Sequence, residues 1–297
     1  MLPELSVDMK ISLKAPAKIN WFLSVLNSRE DGYHNIVSAM QCVDLFDLLS
    51  FEEDEDIHVL SDLDIPDKAN LVHKAAALLK AVSSYKYGAR IELKKNIPVA
   101  AGLGGGSSDA ASALIGLNRL WGLNFDKGTL MRLAAGIGSD VPFFLGGPLA
   151  LIEGRGEKVT ELNAEGSAVI LLVKPDVPVS TPWAYSSYKT GLTKKPVDIK
   201  LFCQALGRKD FTFLRHTVFN DLEDVVVRKY PVVGEVKRIL LENGAVFSLM
   251  SGSGSAVFGV FHSIEEADRA SKNLQGKWCR VVRTLNCSEG LGMGNEA

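Results

Sequence analysis

Four glycines fall within five positions (Gly102, Gly104, Gly105 and Gly106) in the run Ile97-Pro-Val-Ala-Ala-Gly-Leu-Gly-Gly-Gly-Ser-Ser-Asp-Ala-Ala111. Without Cβ atoms, such a backbone can take positive φ and bring its N–H groups against a ligand. An Ala-rich helix predicted from Ser107 to about Trp121 would aim its unpaired N–H groups and positive dipole end at the same point. The combination suits a polyphosphate. The candidate phosphate contacts are Pro98, Val99, Ala100, Ala101, Gly102, Leu103, Gly104, Gly105, Gly106, Ser107 and Ser108. The plainer reading, a glycine turn with Ser107 as helix cap, accounts for one or two glycines but not for this density. A Walker loop is excluded because Ser107 stands where its lysine is needed. A dinucleotide fingerprint is excluded by glycine spacing, by the mid-chain position and by the missing acid after the next strand.

Phosphoryl transfer from a nucleotide held there needs charge stabilisation and a group that orients the attacking hydroxyl. Ala15-Pro-Ala-Lys-Ile-Asn20 puts Lys18 and Asn20 on alternating strand positions, hence on one face. Gly138-Ser-Asp-Val-Pro-Phe-Phe144 puts Asp140 in a turn before an apolar segment. Lys18 beside Asp140 would keep the acid ionised and stabilise developing charge. Taken singly, Lys18 reads as a surface lysine and Asp140 as a turn cap, and spacing alone does not pair them.

The elements that must position these groups follow from periodicity. Lys10–Val25 and Ile36–Phe51 read as strands separated by an Asp31-Gly32 turn, with Glu52–Asp56 an exposed bend. Asn70 caps a helix through Ser84, and Ala89–Lys95 is a short strand. A helix over about 126–137 and strands at 149–152 and 168–173 follow. Pro175, Pro178 and Pro182 then punctuate the chain. Helices are expected at 197–206, 209–217, 231–243 and 264–275, with strands at 246–250, 255–262 and 278–285. The fold class is α+β in two domains, residues 1–165 and 166–285, followed by a frayed tail at 286–297.

Composition excludes several classes. The 297 residues are 46% hydrophobic and 23% charged, with a formal net charge of -2, so no bulk positive field advertises nucleic acid or anionic membrane. The basic pairs Lys94-Lys95 and Lys194-Lys195 read as solvated surface. Four separated cysteines (Cys42, Cys203, Cys279 and Cys287) form no CxxC and suggest buried thiols in a reducing compartment. The first twelve residues lack an apolar h-region and the longest uncharged stretch, Asn243–Ile264, is too rich in Gly and Ser to span a membrane. A cytoplasmic location is expected.

Three blocks, Ala15–Asn20, Pro98–Ala111 and Met250-Ser-Gly-Ser-Gly-Ser-Ala-Val-Phe258, resemble in order and spacing the galactokinase/homoserine kinase/mevalonate kinase/phosphomevalonate kinase (GHMP) superfamily. With Asp31-Gly-Tyr-His34 and Gly138–Phe144 added, the chain is similar to the branch that acts on 4-diphosphocytidyl-2-C-methyl-D-erythritol. The resemblance implies a ribosomal-protein-S5-like α/β domain followed by a ferredoxin-like α+β domain, with the site between them. It implies ATP-dependent phosphorylation of that compound's 2-hydroxyl in non-mevalonate isoprenoid synthesis. Asp140 would be the base, Lys18 the charge stabiliser and Asn20 a substrate contact. Gly252, Ser253 and Gly254 would close the nucleotide site from the second domain. Tyr33 and His34 match the first aromatic and the histidine of a cytosine clamp. Thr181-Pro-Trp-Ala-Tyr185 matches the segment giving the second, Tyr185 being preferred to Trp183. Mg2+ is expected with ATP, its ligands left open among Ser107, Asp109 and Asp140. The partner implied is thus a small molecule bearing cytidine diphosphate, not a nucleic acid or a membrane. Ser255-Ala256 departs from the family, where proline with a small polar residue is frequent, and Val99-Ala100 replaces a Met-Gly-like start.

Overall fold

The structure, a computed structural model, describes residues 10–63, 66, 70–189, 196–274 and 276–286. Its first half is built on two long antiparallel strands, β1 (Ile11–Ser28) and β2 (His34–Asp54), turned at Asp31-Gly32 as the sequence predicts. β3 (Ile57–Ser61), α1 (Leu71–Ser83), β4 (Gly88–Lys94), α2 (Gly105–Leu120), α3 (Lys127–Ile137), β5 (Leu149–Gly154) and β6 (Lys158–Glu161) follow. β2 serves two neighbours on one edge, pairing β4 through Leu48–Asp54 and β5 through Ile36–Gln41. β3 and β6, unread in the sequence, are short edge strands whose partners lie on β4 and β5. The acidic segment expected to bend extends β2 to Asp54 before turning.

Helix ends follow local chemistry. Asn70 Oδ1 accepts from Val72 N at 2.9 Å and Asp126 Oδ1 from Thr129 N at 2.7 Å, so both caps are side-chain caps. α2 begins two residues before the expected Ser107. Gly104 caps it in a left-handed conformation (φ 73°), which a glycine adopts at little cost. Ser107 is therefore an interior first-turn residue.

The second half contains β7 (Val169–Lys174), α4 (Thr181–Ser187), α5 (Ile199–Gly207), α6 (Phe211–Leu214), β8 (Phe219–Asn220), α7 (Glu223–Lys229), α8 (Pro231–Glu242), β9 (Phe247–Met250), β10 (Val257–Phe261), α9 (Ile264–Ser271) and β11 (Trp278–Arg283). Its own sheet runs β11-β7-β10-β9, all antiparallel. β8 instead returns to the first sheet and pairs with β1 in parallel.

A bulge at Trp21 locks the two sheets together. Asn20 pairs with Met40 and Phe22 with Ala39, so Trp21 is the extra residue on β1. Its fully buried indole meets Phe258, Phe247 and Phe202 at centroid separations of 6.0, 6.2 and 6.4 Å. Its Nε1 donates to Gln41 at 2.6 Å, satisfying the polar end. With Trp21, Ile19 and Ala17 turned into this core, Lys18 and Asn20 must face the other way. Cys42 is buried, and Cys203 and Cys279 are partly so; burial raises all three thiol pKa values. Cys287, Lys194-Lys195 and the tail from 287 lie outside the described residues.

Candidate active site

A cavity of about 1220 Å³ lies between the halves, larger than one drug-sized ligand needs and roomy enough for a nucleotide and a second substrate. Its floor begins at the glycine loop. Leu103 O accepts from the backbone N–H of Lys18 at 2.9 Å, which fastens the loop to β1. On the other side, Ala101 O accepts from Ala256 N at 2.9 Å and Gly102 O from Ser251 Oγ at 3.0 Å. The glycine loop is thus held between β1 and the Met250–Ala256 loop. A Cβ at Gly102 would overlap the Ser251 carbonyl and stand 3.0 Å from Gly254 N, at a φ of 75°. Only glycine fits there.

The sequence reading missed what holds the Met250–Ala256 loop. Asn220 Nδ2 donates to Met250 O and Gly252 O, both at 2.8 Å, and its Oδ1 accepts from Leu222 N. Asp221 Oδ2 accepts from Val25 N at 2.9 Å. The signal was Asn-Asp among apolar residues, but a two-residue strand has no period to read. Ser255, where the family often has proline, is buried and donates to Val177 O at 2.8 Å. That bond ties the loop to the segment leading into α4, which proline could not do.

Lys18 and Asn20 share a face as predicted. Lys18 Nζ donates to Asn20 Oδ1 at 2.6 Å, and Asn20 Nδ2 to Ser38 Oγ at 2.8 Å. Burial depresses the Lys18 pKa, with the Asp140 charge acting against that shift. The turn places Asp140 on the cavity wall just before Val141 and the 3-10 turn Pro142–Leu145. Tyr185, on α4, is also close to this acid: burial raises its phenol pKa and the Asp140 charge adds to the rise. The Tyr185 ring lies 5.6 Å from that of His34, whose Nε2 is 3.1 Å from Ser28 Oγ. Glycine loop, Lys18, Asp140, Tyr185 and His34 all line this one cavity. Tyr33, 49% exposed, stands beside them with the Arg155 guanidinium 5.3 Å over its ring. Trp183 lines the cavity too, yet its ring is engaged by Lys229 Nζ at 3.9 Å and Tyr230 at 5.8 Å. Thr181 Oγ1 and Ser253 Oγ are 2.7 Å apart, joining α4 to the Met250–Ala256 loop.

Two expectations need correction. Ser108 does not line the cavity: it is buried in the first turns of α2, below the loop. Lys95 is not surface. Its side chain is 6% exposed, and its ammonium pairs with Asp47 and, at 2.6 Å, with Asp109. The pairing joins residues 48 apart, beyond any local pattern. Asp109, left open above as a magnesium ligand, is thus engaged by Lys95. Asp47 Oδ1 accepts from the backbone of Asn96 and Ile97, at 2.5 and 2.8 Å, and two acids share one lysine. Asp109 Oδ1 is in addition buried with no hydrogen-bond partner among the described residues. Burial pushes its pKa up to about 7, against the pull of Lys95.

With its folded pKa raised to about 7, Asp109 binds a proton between about pH 4 and 7 that an unfolded aspartate has released. Stability from this group is greatest below about pH 4 and declines as pH rises to about 7, by at most ~1.4 kcal/mol per pH unit. Asp109→Asn removes the slope. Thermal unfolding from pH 4 to 8 should show mutant Tm gaining on wild type up to about pH 7, then running parallel. Parallel curves throughout would exclude a protonated Asp109.

Among the described residues no group of three or more His, Cys, Asp or Glu could hold a metal, and no helix is long and apolar enough to cross a membrane. The chain matches the GHMP kinases N terminal domain over residues 70–147 and the GHMP kinases C terminal domain over 198–280. It is 47% identical over 283 residues to the 4-diphosphocytidyl-2-C-methyl-D-erythritol kinase of Thermodesulfovibrio yellowstonii, covering 93% of this chain and 98% of that one. Identity to the enzyme of that name from Caldanaerobacter subterraneus subsp. tengcongensis is 41% over 286 residues, covering 95% and 99%. A crystal structure of a 4-(cytidine 5'-diphospho)-2C-methyl-D-erythritol kinase superimposes with a TM-score of 0.80 at 33% identity, over 93% of this chain and 100% of that one.

Proposed function

The chain belongs to the GHMP kinases, in the 4-diphosphocytidyl-2-C-methyl-D-erythritol kinase family, and we propose from that premise how its residues perform the family's reaction. It is an ATP-dependent kinase that phosphorylates the 2-hydroxyl of 4-diphosphocytidyl-2-C-methyl-D-erythritol, a step in making isoprenoid precursors. The observation that supports the residue roles is that the glycine loop, Lys18, Asp140, Tyr185 and His34 line one cavity, with the Asp140 charge felt by both Lys18 and Tyr185.

The triphosphate fits the loop because the left-handed backbone at Gly102 and Gly104 turns the loop onto the start of α2, whose first-turn N–H groups lack intrahelical acceptors. Gly252, Ser253 and Gly254 cover it from the other half. Magnesium, held mainly by phosphate oxygens, would find side-chain oxygens on Ser107 and Asp140 and supply further charge neutralisation. Asp109 is committed to Lys95 and is not a ligand in this reading. At the other end Tyr33 and Tyr185 stack the cytosine and His34 reads its edge, with Thr181 positioning the sugar-phosphate side. Asp140 accepts the hydroxyl proton. Lys18, steered by Asn20 Oδ1, neutralises charge on the phosphoryl oxygens.

An ADP-release assay with Mg-ATP tests the reading. Turnover is expected with the diphosphocytidyl alcohol and not with homoserine or mevalonate. Tyr185→Ala should raise the acceptor KM about 10- to 100-fold, the worth of one base-stacking contact, while Trp183→Ala changes it less than about threefold. Turnover of another alcohol alone would keep a kinase and discard the cytosine clamp. The reverse ranking of the two aromatics would transfer the clamp to Trp183.

A further inference from the structure

The sequence Gly154-Arg-Gly-Glu157 is absorbed by none of the roles above, yet the structure places its arginine on the cavity wall. It forms the turn between β5 and β6. Glu157 Oε2 accepts from the Arg155 backbone N–H at 2.7 Å, and Gly156 N donates to Glu153 O at 3.3 Å. The turn sits directly on Ser139: a Cβ at Gly156 would come within 3.0 Å of the Ser139 Cβ and carbonyl oxygen. Asp140 is the next residue. From there the side chain reaches back over Tyr33, with one guanidinium nitrogen donating to Ala135 O at 3.0 Å. Arg155 therefore bridges the two places where the acceptor's ends are assigned, the cytosine clamp and the base.

The charges lining the cavity point the same way. Lys18, Lys95 and Arg155 are its only lysines or arginines among the described residues. Lys95 is taken by two carboxylates and Lys18 stands at the reacting end. Asp31, whose carboxylate feels the Arg155 charge, takes its hydrogen bonds from Arg29 at 3.1 Å and from Tyr33 N at 3.1 Å. A diphosphate linking cytidine to the reacting alcohol must cross the gap that Arg155 spans. A guanidinium carries five N–H donors in a planar fork, and Ala135 occupies one. The remainder suit bidentate binding of phosphate.

We propose that Arg155 is a specificity-determining residue that binds the diphosphate of the acceptor. The proposal rests on the acceptor assignment above. Binding of cytidine, CMP and CDP would be measured calorimetrically, with the nucleotide site filled by a non-hydrolysable ATP analogue. CDP is expected to bind wild type more tightly than cytidine. Arg155→Gln should cut that preference about 10- to 100-fold, the range of a charge-assisted hydrogen-bonded pair. Cytidine itself and the ATP analogue should change less than about threefold, and Arg155→Lys should restore part of the preference. Equal losses for cytidine and CDP would overturn the proposal and make Arg155 a support for Tyr33, leaving the clamp intact. Wild type that fails to bind cytidine, with CDP binding that still depends on Arg155, would discard the clamp and keep the diphosphate contact. Unchanged CDP preference in Arg155→Gln, with Tm unchanged, would also overturn it.

Discussion

Asp140→Asn is expected to lower kcat about 100- to 10,000-fold, the range of a positioned general base, while the acceptor KM stays within a few fold. The substitution keeps the shape of the side chain and removes its ability to take a proton. It also removes the charge that opposes the desolvation of Lys18. With burial then acting alone, the Lys18 pKa falls further and its ammonium is lost at lower pH. The residual activity should therefore decline toward alkaline pH earlier than that of wild type. Single-turnover rates from pH 6 to 10 measure both effects, and an unchanged Tm would show that the fold is intact. A loss below about tenfold, or an unmoved alkaline limb, would remove Asp140 from the pairing with Lys18.

That pairing marks where the sequence stopped being legible. Alternation along β1 put Lys18 and Asn20 on one face, and their 2.6 Å hydrogen bond is the consequence. Glycine density marked the loop that lines the cavity, and Asn70 and Asp126 announced their helices through a purely local device. Such features depend on neighbours a few residues away. The links from Asp140 to Lys18 and Tyr185, and from Lys95 to Asp47 and Asp109, depend instead on how strands cross. Periodicity carries no information about those crossings, so Lys95 read as surface. β8 escaped for another reason: two residues cannot show an alternation, and their place is set by β1. The start of α2 slipped by two residues because Ser107 is a good cap by type, whereas the actual cap is Gly104, chosen by its φ. The proposed cytosine clamp came from family resemblance; residue chemistry alone would have left a turn histidine and a core tyrosine.

The interlock at Gly102 carries the second large effect. Gly102→Ala should cost about 3 kcal/mol of stability, from the left-handed backbone and from collision with the Ser251 carbonyl. That corresponds to a Tm lower by roughly 5 °C in a chain of this size. The colliding atom is backbone, so no rotamer change relieves it. The loops must part, which loosens the bonds from Ala256 N to Ala101 O and from Ser251 Oγ to Gly102 O. The phosphate cradle then loses its fixed shape, and the ATP KM should rise at least tenfold. Gly106→Ala separates the two consequences. A Cβ there meets nothing closer than Leu71 Cδ1 at 3.8 Å and sits within α2, where alanine is favoured over glycine. Its Tm should equal or exceed that of wild type, even though the new methyl faces the cavity and weakens nucleotide binding. If Gly102→Ala left both Tm and ATP KM unchanged, contact between the two loops would not shape the phosphate site. The result expected here makes closure of the second half against the first a condition for building that site. Asn220, which holds the Met250–Ala256 loop in place, would then influence nucleotide affinity without touching the nucleotide.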